Sequence, residues 1–341
     1  MKIIIDAFGG DNAPLAVLQG AQMAVEELGV EIIAVGDETK IAQCVEANNI
    51  SMDKITVVDA KDVISMCDDP TLAIRNKKES SMVKGLTLLA SGEGDAFVSA
   101  GSTGALLTGA TLLIKRLKGA KRAALGAVVP GGTQPYLLLD CGANVECRAD
   151  MLVQFAVMGN AYMENVMGIK NPTVGLVNNG TEESKGTQTY VEAHAMLKQS
   201  GLNFVGNVEP REVPAGDVNV IIADGFSGNI ILKLTEGLAK YFMNELKVVF
   251  KRNLLSKIAY LMVKPGLRLF KKKMDSEEAG GAPLLGVTKP VIKAHGSSKA
   301  KAFKNAIRQA KICVETDMVG TMAQGLLKAK EITADSEITK E

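Results

Sequence analysis

The sequence has no CxxC pair: its five cysteines (Cys44, Cys67, Cys141, Cys147 and Cys313) are scattered. That excludes a zinc ribbon and a disulfide framework, and predicts reduced thiols in a cytoplasmic setting. No apolar run approaches the roughly 20 residues a bilayer span needs. The start, Met1-Lys2-Ile3-Ile4-Ile5-Asp6, reaches a charge too early for a signal peptide and reads as a first strand. There is no GxGxxG fingerprint, no Walker A loop and no GxSxG elbow. Nor is there a convincing set of aspartates for a divalent metal, so neither a cofactor nor a metal is expected. Histidine occurs only twice. Charge of one sign is missing as well: 39 Lys and Arg against 38 Asp and Glu leave +1 over 341 residues, which excludes a generally basic nucleic-acid binder.

What is abundant is glycine, 34 residues against 10 prolines. Without low complexity, this argues for many tight strand-to-helix turns. Short β-rich runs at 2–6, 31–35, 55–59, 96–99, 123–129, 136–140, 173–177, 203–206, 218–223 and 291–294 alternate with helical stretches. The helices are placed at 15–28, 72–91, 104–117, 147–167, 182–199 and 298–318. Several strands are apolar without strict alternation, as expected when both faces of a parallel sheet are covered. The fold class is α/β: a three-layer α/β/α sandwich on a mostly parallel sheet. One catalytic domain over residues 1–325 is expected, followed by a charged tail at 326–341.

Ligands in such folds bind beyond the carboxyl ends of the strands. The segments there are polar and glycine-rich. The first holds Asp6, Gly9, Gly10 and Asp11, with Asp11 or Asn12 expected to cap the next helix. The others hold Ser102, Thr103 and Gly104; Asn144; Asn178, Asn179, Glu182, Ser184 and Lys185; Asp224, Gly228 and Asn229; and His295, Ser297 and Ser298. Small hydroxyl residues at a helix start suit an anion. A lysine in a first helical turn is unfavourable unless it faces one, which singles out Lys185. His194 reads as a solvated mid-helix residue.

Taken together and in order, the segments 6–11, 99–104, 139–144, 175–186, 224–229 and 295–298 resemble those of the bacterial phosphate acyltransferases of phospholipid synthesis, the PlsX family. The resemblance runs from Met1 to about Gly325, with Phe8 where that family usually has Met and Asn12 where it often has His. It implies a homodimer with a fold similar to the phosphotransacetylases and decarboxylating dehydrogenases. It further implies transfer of a fatty acyl group from acyl carrier protein to inorganic phosphate, with no nucleotide cofactor and no acyl-enzyme. The residues agree with that chemistry: phosphate is a nucleophile, and a thiol of pKa about 8.5 leaves readily, so holding a dianion against a carbonyl is the main task. On this reading Lys185 and Asn229 polarise the carbonyl or hold phosphate. Ser102, Thr103, Ser297 and Ser298 help form the anion cradle, and Asp224 or His295 orients a donor or moves a proton.

The near-zero charge hides an asymmetry. Residues 246–274 carry nine bases and no acid, interleaved with Leu, Val, Phe and Tyr. Leu254, Leu255, Lys257, Leu261, Val263, Lys264, Arg268 and Phe270 give the pattern of an interfacial membrane helix, with a break expected at Pro265-Gly266. A dimer helix or a dock for the acidic carrier protein competes with that reading. The resemblance favours reversible attachment to an anionic membrane, because the acyl phosphate feeds a membrane glycerol-3-phosphate acyltransferase. The rivals are a phosphotransacetylase using acyl-CoA, a decarboxylating dehydrogenase and an inert membrane scaffold.

Overall fold

In a computed structural model of the chain, residues 1–273 and 280–338 are described. In chain order the elements are β1 (Lys2–Asp6), α1 (Leu15–Leu28), β2 (Glu31–Gly36), α2 (Glu38–Asn48), β3 (Ile55–Asp59), α3 (Pro70–Asn76), α4 (Ser81–Ser91), β4 (Ala96–Ser99), α5 (Thr103–Gly109) running into a π-helical turn (Ala110–Ile114), β5 (Ala124–Val129), β6 (Tyr136–Leu139), α6 (Ala149–Asn165), β7 (Thr173–Val177), α7 (Gln188–Lys198), β8 (Asn203–Val208), β9 (Val220–Ile222), α8 (Gly225–Lys251), α9 (Leu254–Lys273), β10 (Ala282–Leu285), β11 (Val291–Lys293), α10 (Ala300–Glu315) and α11 (Met318–Ile338).

One sheet runs β3-β2-β1-β4-β11-β10-β5-β6-β9-β7-β8. Successive side chains of a strand point to opposite faces. Ile3 and Ile5 therefore join the apolar cluster built with Val17, Leu18 and Phe303 of α1 and α10. Ile4, between them, joins Met82, Leu86 and Leu106 on the other face. All three isoleucines are fully buried. On the second half of the sheet Leu137 and Leu139 pack with Phe155 of α6, while Leu138 faces Ile231 and Leu232 of α8. Helices thus cover both faces, giving the three-layer sandwich.

The strands do not all run one way. β1, β2, β3, β4 and β11 are mutually parallel, and so are β6, β7, β8 and β9. Between these blocks β11/β10, β10/β5 and β5/β6 pair antiparallel, so the blocks run in opposite directions. β10 is a strand that sequence reading did not find: Ala282-Pro283-Leu284-Leu285 is short and holds a proline. The predicted 72–91 helix divides into α3 and α4 because Ser80 starts a new helix, its hydroxyl accepting from Val83 N at 3.3 Å. The start of α1 is also corrected. Pro14 occupies its cap position with no side-chain bond, and the Asn12 amide instead donates to the carbonyls of Ser297 (3.0 Å) and Ser298 (3.3 Å).

The basic segment continues from α8 into α9. α8 buries only Gly225 and Gly228, both in its first turns. Pro265 lies inside α9 rather than ending it. The turn falls at Arg252 and Asn253, where Asn253 Oδ1 accepts from Ser256 N at 2.8 Å and caps α9. A cap placed there fixes the corner upstream, and Pro265 then removes one hydrogen bond from an exposed helix. The rings of Phe250 and Tyr260 stand 5.5 Å apart across the hairpin. Met274, the last residue of the predicted insert, lies outside the described residues, as do 339–341 of the predicted tail. From residue 326 the chain continues as α11 to Ile338. Among the described residues no helix is long and apolar enough to cross a membrane.

Candidate functional site

Strand direction sorts the predicted residues into two sets. The turns after β1, β4 and β11 lie at the carboxyl ends of the first block. Those after β6, β7 and β9 lie at the carboxyl ends of the second, which points the other way. The reversal is offset by twist: neighbouring strands rotate by roughly 20–25° per pair, so the five pairs from β1 to β6 accumulate on the order of 100°. α8 starts in the second set and carries Lys233 into electrostatic range of Lys293 in the first.

The first set is built on Asp6, 2% exposed at the end of β1. Its carboxylate accepts from Ser81 Oγ (2.6 Å) and Ser99 Oγ (2.7 Å). Ser99 Oγ in turn accepts from Gly101 N at 3.0 Å. Gly9 is required here, because a Cβ on it would lie 2.5 Å from Asp6 Oδ2 and 2.7 Å from Gly101 N. Burial pushes the Asp6 carboxyl above its ordinary pKa, and the two serine hydroxyls oppose that shift. Asp11 N donates to Gly296 O at 2.8 Å, tying the first turn to the last. His295 Nδ1 lies 2.9 Å from Ser297 Oγ, both exposed, and Ser298 N donates to His295 O at 3.0 Å. Ser102 is buried and its hydroxyl accepts from Ala105 N at 3.4 Å, capping α5 beside Thr103 and Gly104.

Lys293, absent from the sequence-based set, lies in the same place. It ends β11, is 8% exposed, and its ammonium donates to Ala100 O at 3.3 Å and to Ala294 O. Burial lowers its pKa to about 8, with Asp6 and Asp11 opposing the shift and Lys233 adding to it. The available signal was a lysine inside the otherwise apolar run Val291-Ile292-Lys293-Ala294, immediately before His295.

The second set is organised by Asp140, fully buried after β6. Its carboxylate accepts from Leu125 N (3.0 Å), Ala143 N (3.0 Å), Asn144 N (2.6 Å) and Asn144 Nδ2 (2.9 Å). Asn144 Nδ2 also donates to Ala123 O at 2.8 Å, and its own carbonyl accepts from Gly225 N at 2.7 Å. Asn144 is therefore a structural clasp between β5, β6 and α8. Asp224 caps α8, accepting from Ser227 N (2.7 Å), Ser227 Oγ (3.1 Å) and the Tyr190 hydroxyl (2.6 Å). Asn229 stands exposed one turn further on, near Gly142.

Lys185 is placed differently from its prediction. α7 begins only at Gln188, so Lys185 belongs to the preceding loop and the argument from an unfavourable first-turn cation does not apply. Asn178, buried, shapes that loop: its Nδ2 donates to Lys185 O (2.9 Å) and its Oδ1 accepts from Asn179 N (2.9 Å). Asn179, Glu182, Ser184 and Lys185 are all exposed around it. His194 is also corrected: it is 4% exposed, with Nδ1 3.0 Å from Asn207 Oδ1 and its ring edge-on to Phe204. Asn207 Nδ2 reaches Glu182 O at 2.8 Å, so His194 supports the Lys185 loop from below. The polar neighbours of His194 along α7 suggest a solvated position, but Phe204 and Asn207 of β8 cover it.

The fold places the chain in a class of α/β/α proteins that includes phosphotransacetylases. The EutD phosphotransacetylase of Staphylococcus aureus superposes with TM-score 0.60 at 20% identity, covering 95% of this chain and 94% of its own. A 4-hydroxythreonine-4-phosphate dehydrogenase structure from Salmonella typhimurium shares the fold at TM-score 0.53 and 11% identity, over 92% and 98% of the two chains. Within that class, the chain belongs to the family described as fatty acid synthesis proteins, whose model matches residues 1–321. A relative from Clostridium acetobutylicum named phosphate acyltransferase is 48% identical over 327 residues, 96% of this chain and 99% of its own.

Proposed function

We propose that the chain transfers a fatty acyl group from acyl carrier protein to inorganic phosphate, giving an acyl phosphate for phospholipid synthesis. The observation that carries this reading is the pairing of a buried cation, Lys293, with glycine-rich turns after β1, β4 and β11, while α8, which starts in the second polar set, brings Lys233 within electrostatic range of it. The first set holds phosphate: the Lys293 ammonium supplies charge, and the hydroxyls of Thr103 and Ser297 and the exposed His295 supply hydrogen bonds. The second set receives the thioester, with Asn229 and Lys185 donating to its carbonyl oxygen.

A phosphate oxygen attacks the carbonyl carbon and the developing oxyanion is held by those donors. The C–S bond then breaks toward sulfur. The proton of monohydrogen phosphate passes to the leaving thiolate, with His295 as carrier, so acyl phosphate and free thiol are the only products. No protein nucleophile is needed. The exposed α8–α9 hairpin attaches the enzyme to an anionic membrane, with its acyl phosphate released near a membrane acyltransferase, and two copies of the chain form the working dimer. The test is phosphate-dependent release of free carrier protein from its acylated form. Release that is independent of phosphate, or turnover only with acyl-CoA, overturns the reading in favour of a thioesterase or an acyl-CoA phosphotransacylase.

A further inference from the structure

Between the π-helical turn and β5 the chain reads Lys115-Arg116-Leu117-Lys118-Gly119-Ala120-Lys121-Arg122, five bases in eight residues with no acid. This cluster is separate from the basic hairpin. It lies in a loop held rigidly from several sides. Leu117 and Ala120 are buried. Leu117 N donates to Gly286 O at 2.9 Å and Thr288 N to Lys115 O at 3.0 Å. Gln154 of α6 accepts from Lys121 N (2.8 Å) and donates to Gly119 O (2.9 Å). A charged surface fixed in this way loses little entropy when a partner arrives.

Arg116, Ala120, Lys121, Arg122, Arg148 and Met151 line a concavity of about 500 Å³. One acid, Asp150, sits at its edge and pairs with Lys121 and with Arg148 (3.2 Å). Arg116 donates to Lys121 O. Arg122 is exposed and makes no hydrogen bond among the described residues, so the concavity keeps an uncompensated positive charge. Its place in the fold matters as much as its charge. Arg122 is followed by Ala123, whose carbonyl is held by Asn144, and the charge of Arg122 is felt at the Cys147 thiol. The concavity therefore borders the second polar set, where the thioester is received.

The geometry points to this concavity as the docking surface for the acidic acyl carrier protein, holding it so that its thioester arm reaches the start of α8. The inference rests on the carrier protein being the donor. Arginines spread over a rigid rim with a small apolar floor (Ala120 and Met151) suit an acidic protein surface. A lipid surface would need exposed apolar anchors, which the concavity lacks and the α8–α9 hairpin supplies.

The experiment compares wild type with Arg116→Glu/Arg122→Glu and with Arg122→Gln, which breaks no internal bond and controls for folding. Acyl transfer is measured with acyl carrier protein and with the same acyl group on pantetheine, and labelled holo-carrier protein is titrated by fluorescence anisotropy. The charge reversal is expected to raise KM for the carrier-bound donor at least tenfold and to weaken binding equally, with pantetheine kinetics and the KM for phosphate unchanged. Arg122→Gln should show a smaller shift in the same direction. Unchanged carrier affinity overturns the inference. So does equal loss with both donors, which would assign the bases to the reaction itself, or a loss confined to flotation with anionic vesicles. Wild-type enzyme that binds the carrier protein without transferring from it overturns the donor reading alone; absence of binding overturns both.

Discussion

A Cβ placed on Gly228 would lie 1.9 Å from the backbone carbonyl oxygen of Asp140. The first turn of α8 and the end of β6 are in contact at backbone level, and that contact fixes Asp224 and Asn229 against the buried Asp140–Asn144 turn. Gly228→Ala should therefore force the two apart and destabilise the fold by about 3 kcal/mol, the upper range for overpacking. Gly237 lies further along the same helix, and a Cβ placed on it would meet nothing within 4 Å. Gly237→Ala should instead stabilise by roughly 0.5–1 kcal/mol. Chemical denaturation of the two variants checks the contrast; equal effects would mean that the α8 start is not clamped.

The proposed role of the buried lysine predicts that stability and activity respond oppositely to pH. Lys293 has a folded pKa of about 8 against an ordinary value of 10.5. Below pH 8 it is charged in both states and the cost of burying the ammonium is fully present. As pH rises from about 8 toward 10.5 the unfolded state binds more protons, so stability rises, by about 3 kcal/mol at most. Lys293→Met should flatten that rise. If the ammonium holds phosphate, catalysis should fall as pH passes about 8 and should be low at every pH in Lys293→Met. Denaturation and kcat/KM profiles against pH from 7 to 10 measure both. Parallel profiles for wild type and variant would remove Lys293 from the site.

Much of this was legible from residues because strand burial and turn composition are local properties. Val218-Asn219-Val220-Ile221-Ile222 and Lys2-Ile3-Ile4-Ile5 announce doubly covered strands, and Gly9, Gly142 and Gly228 mark the turns that carry the polar residues. Strand direction is not local. Nothing in the chain near Asp140 reports that β6 runs against β1; that follows from the three antiparallel pairings β11/β10, β10/β5 and β5/β6, and Pro283 hides β10 among loop residues. Lys293 is hidden for the same reason, since its neighbours Asp6 and Ala100 lie at the ends of strands far away in sequence. His194 was misplaced because its cover, Phe204 and Asn207, belongs to the next strand.

Lys185 offers a sharper test of chemistry against scaffold. Its side chain is exposed and its backbone is held by Asn178 and Glu182, so truncation should leave stability within about 0.5 kcal/mol of wild type. If its ammonium meets the oxyanion, Lys185→Ala should lower kcat by about 100-fold, the usual cost of losing one such donor. Asn178→Ala, by contrast, should lower both stability and kcat, because it frees the loop. Near-wild-type turnover in Lys185→Ala would remove Lys185 from the reaction.

The α8–α9 hairpin presents Leu254, Leu255, Leu261 and Met262 at 65–79% exposure, together with Lys257, Lys264 and Arg268. No part of the described chain covers these side chains, and water is a poor solvent for so large an apolar surface. Insertion into the boundary between headgroups and acyl chains buries the leucines while each base near an anionic leaflet adds about 1 kcal/mol. Flotation with vesicles rich in anionic lipid should therefore carry the protein at low salt and release much of it at high salt, where the charges are screened. Leu255→Glu/Leu261→Glu should abolish flotation, whereas Lys257→Gln/Arg268→Gln should weaken it and reduce its salt dependence. A change of oligomeric state in the leucine variant, with vesicle binding retained, would assign the apolar face to a second copy of the chain instead of to lipid.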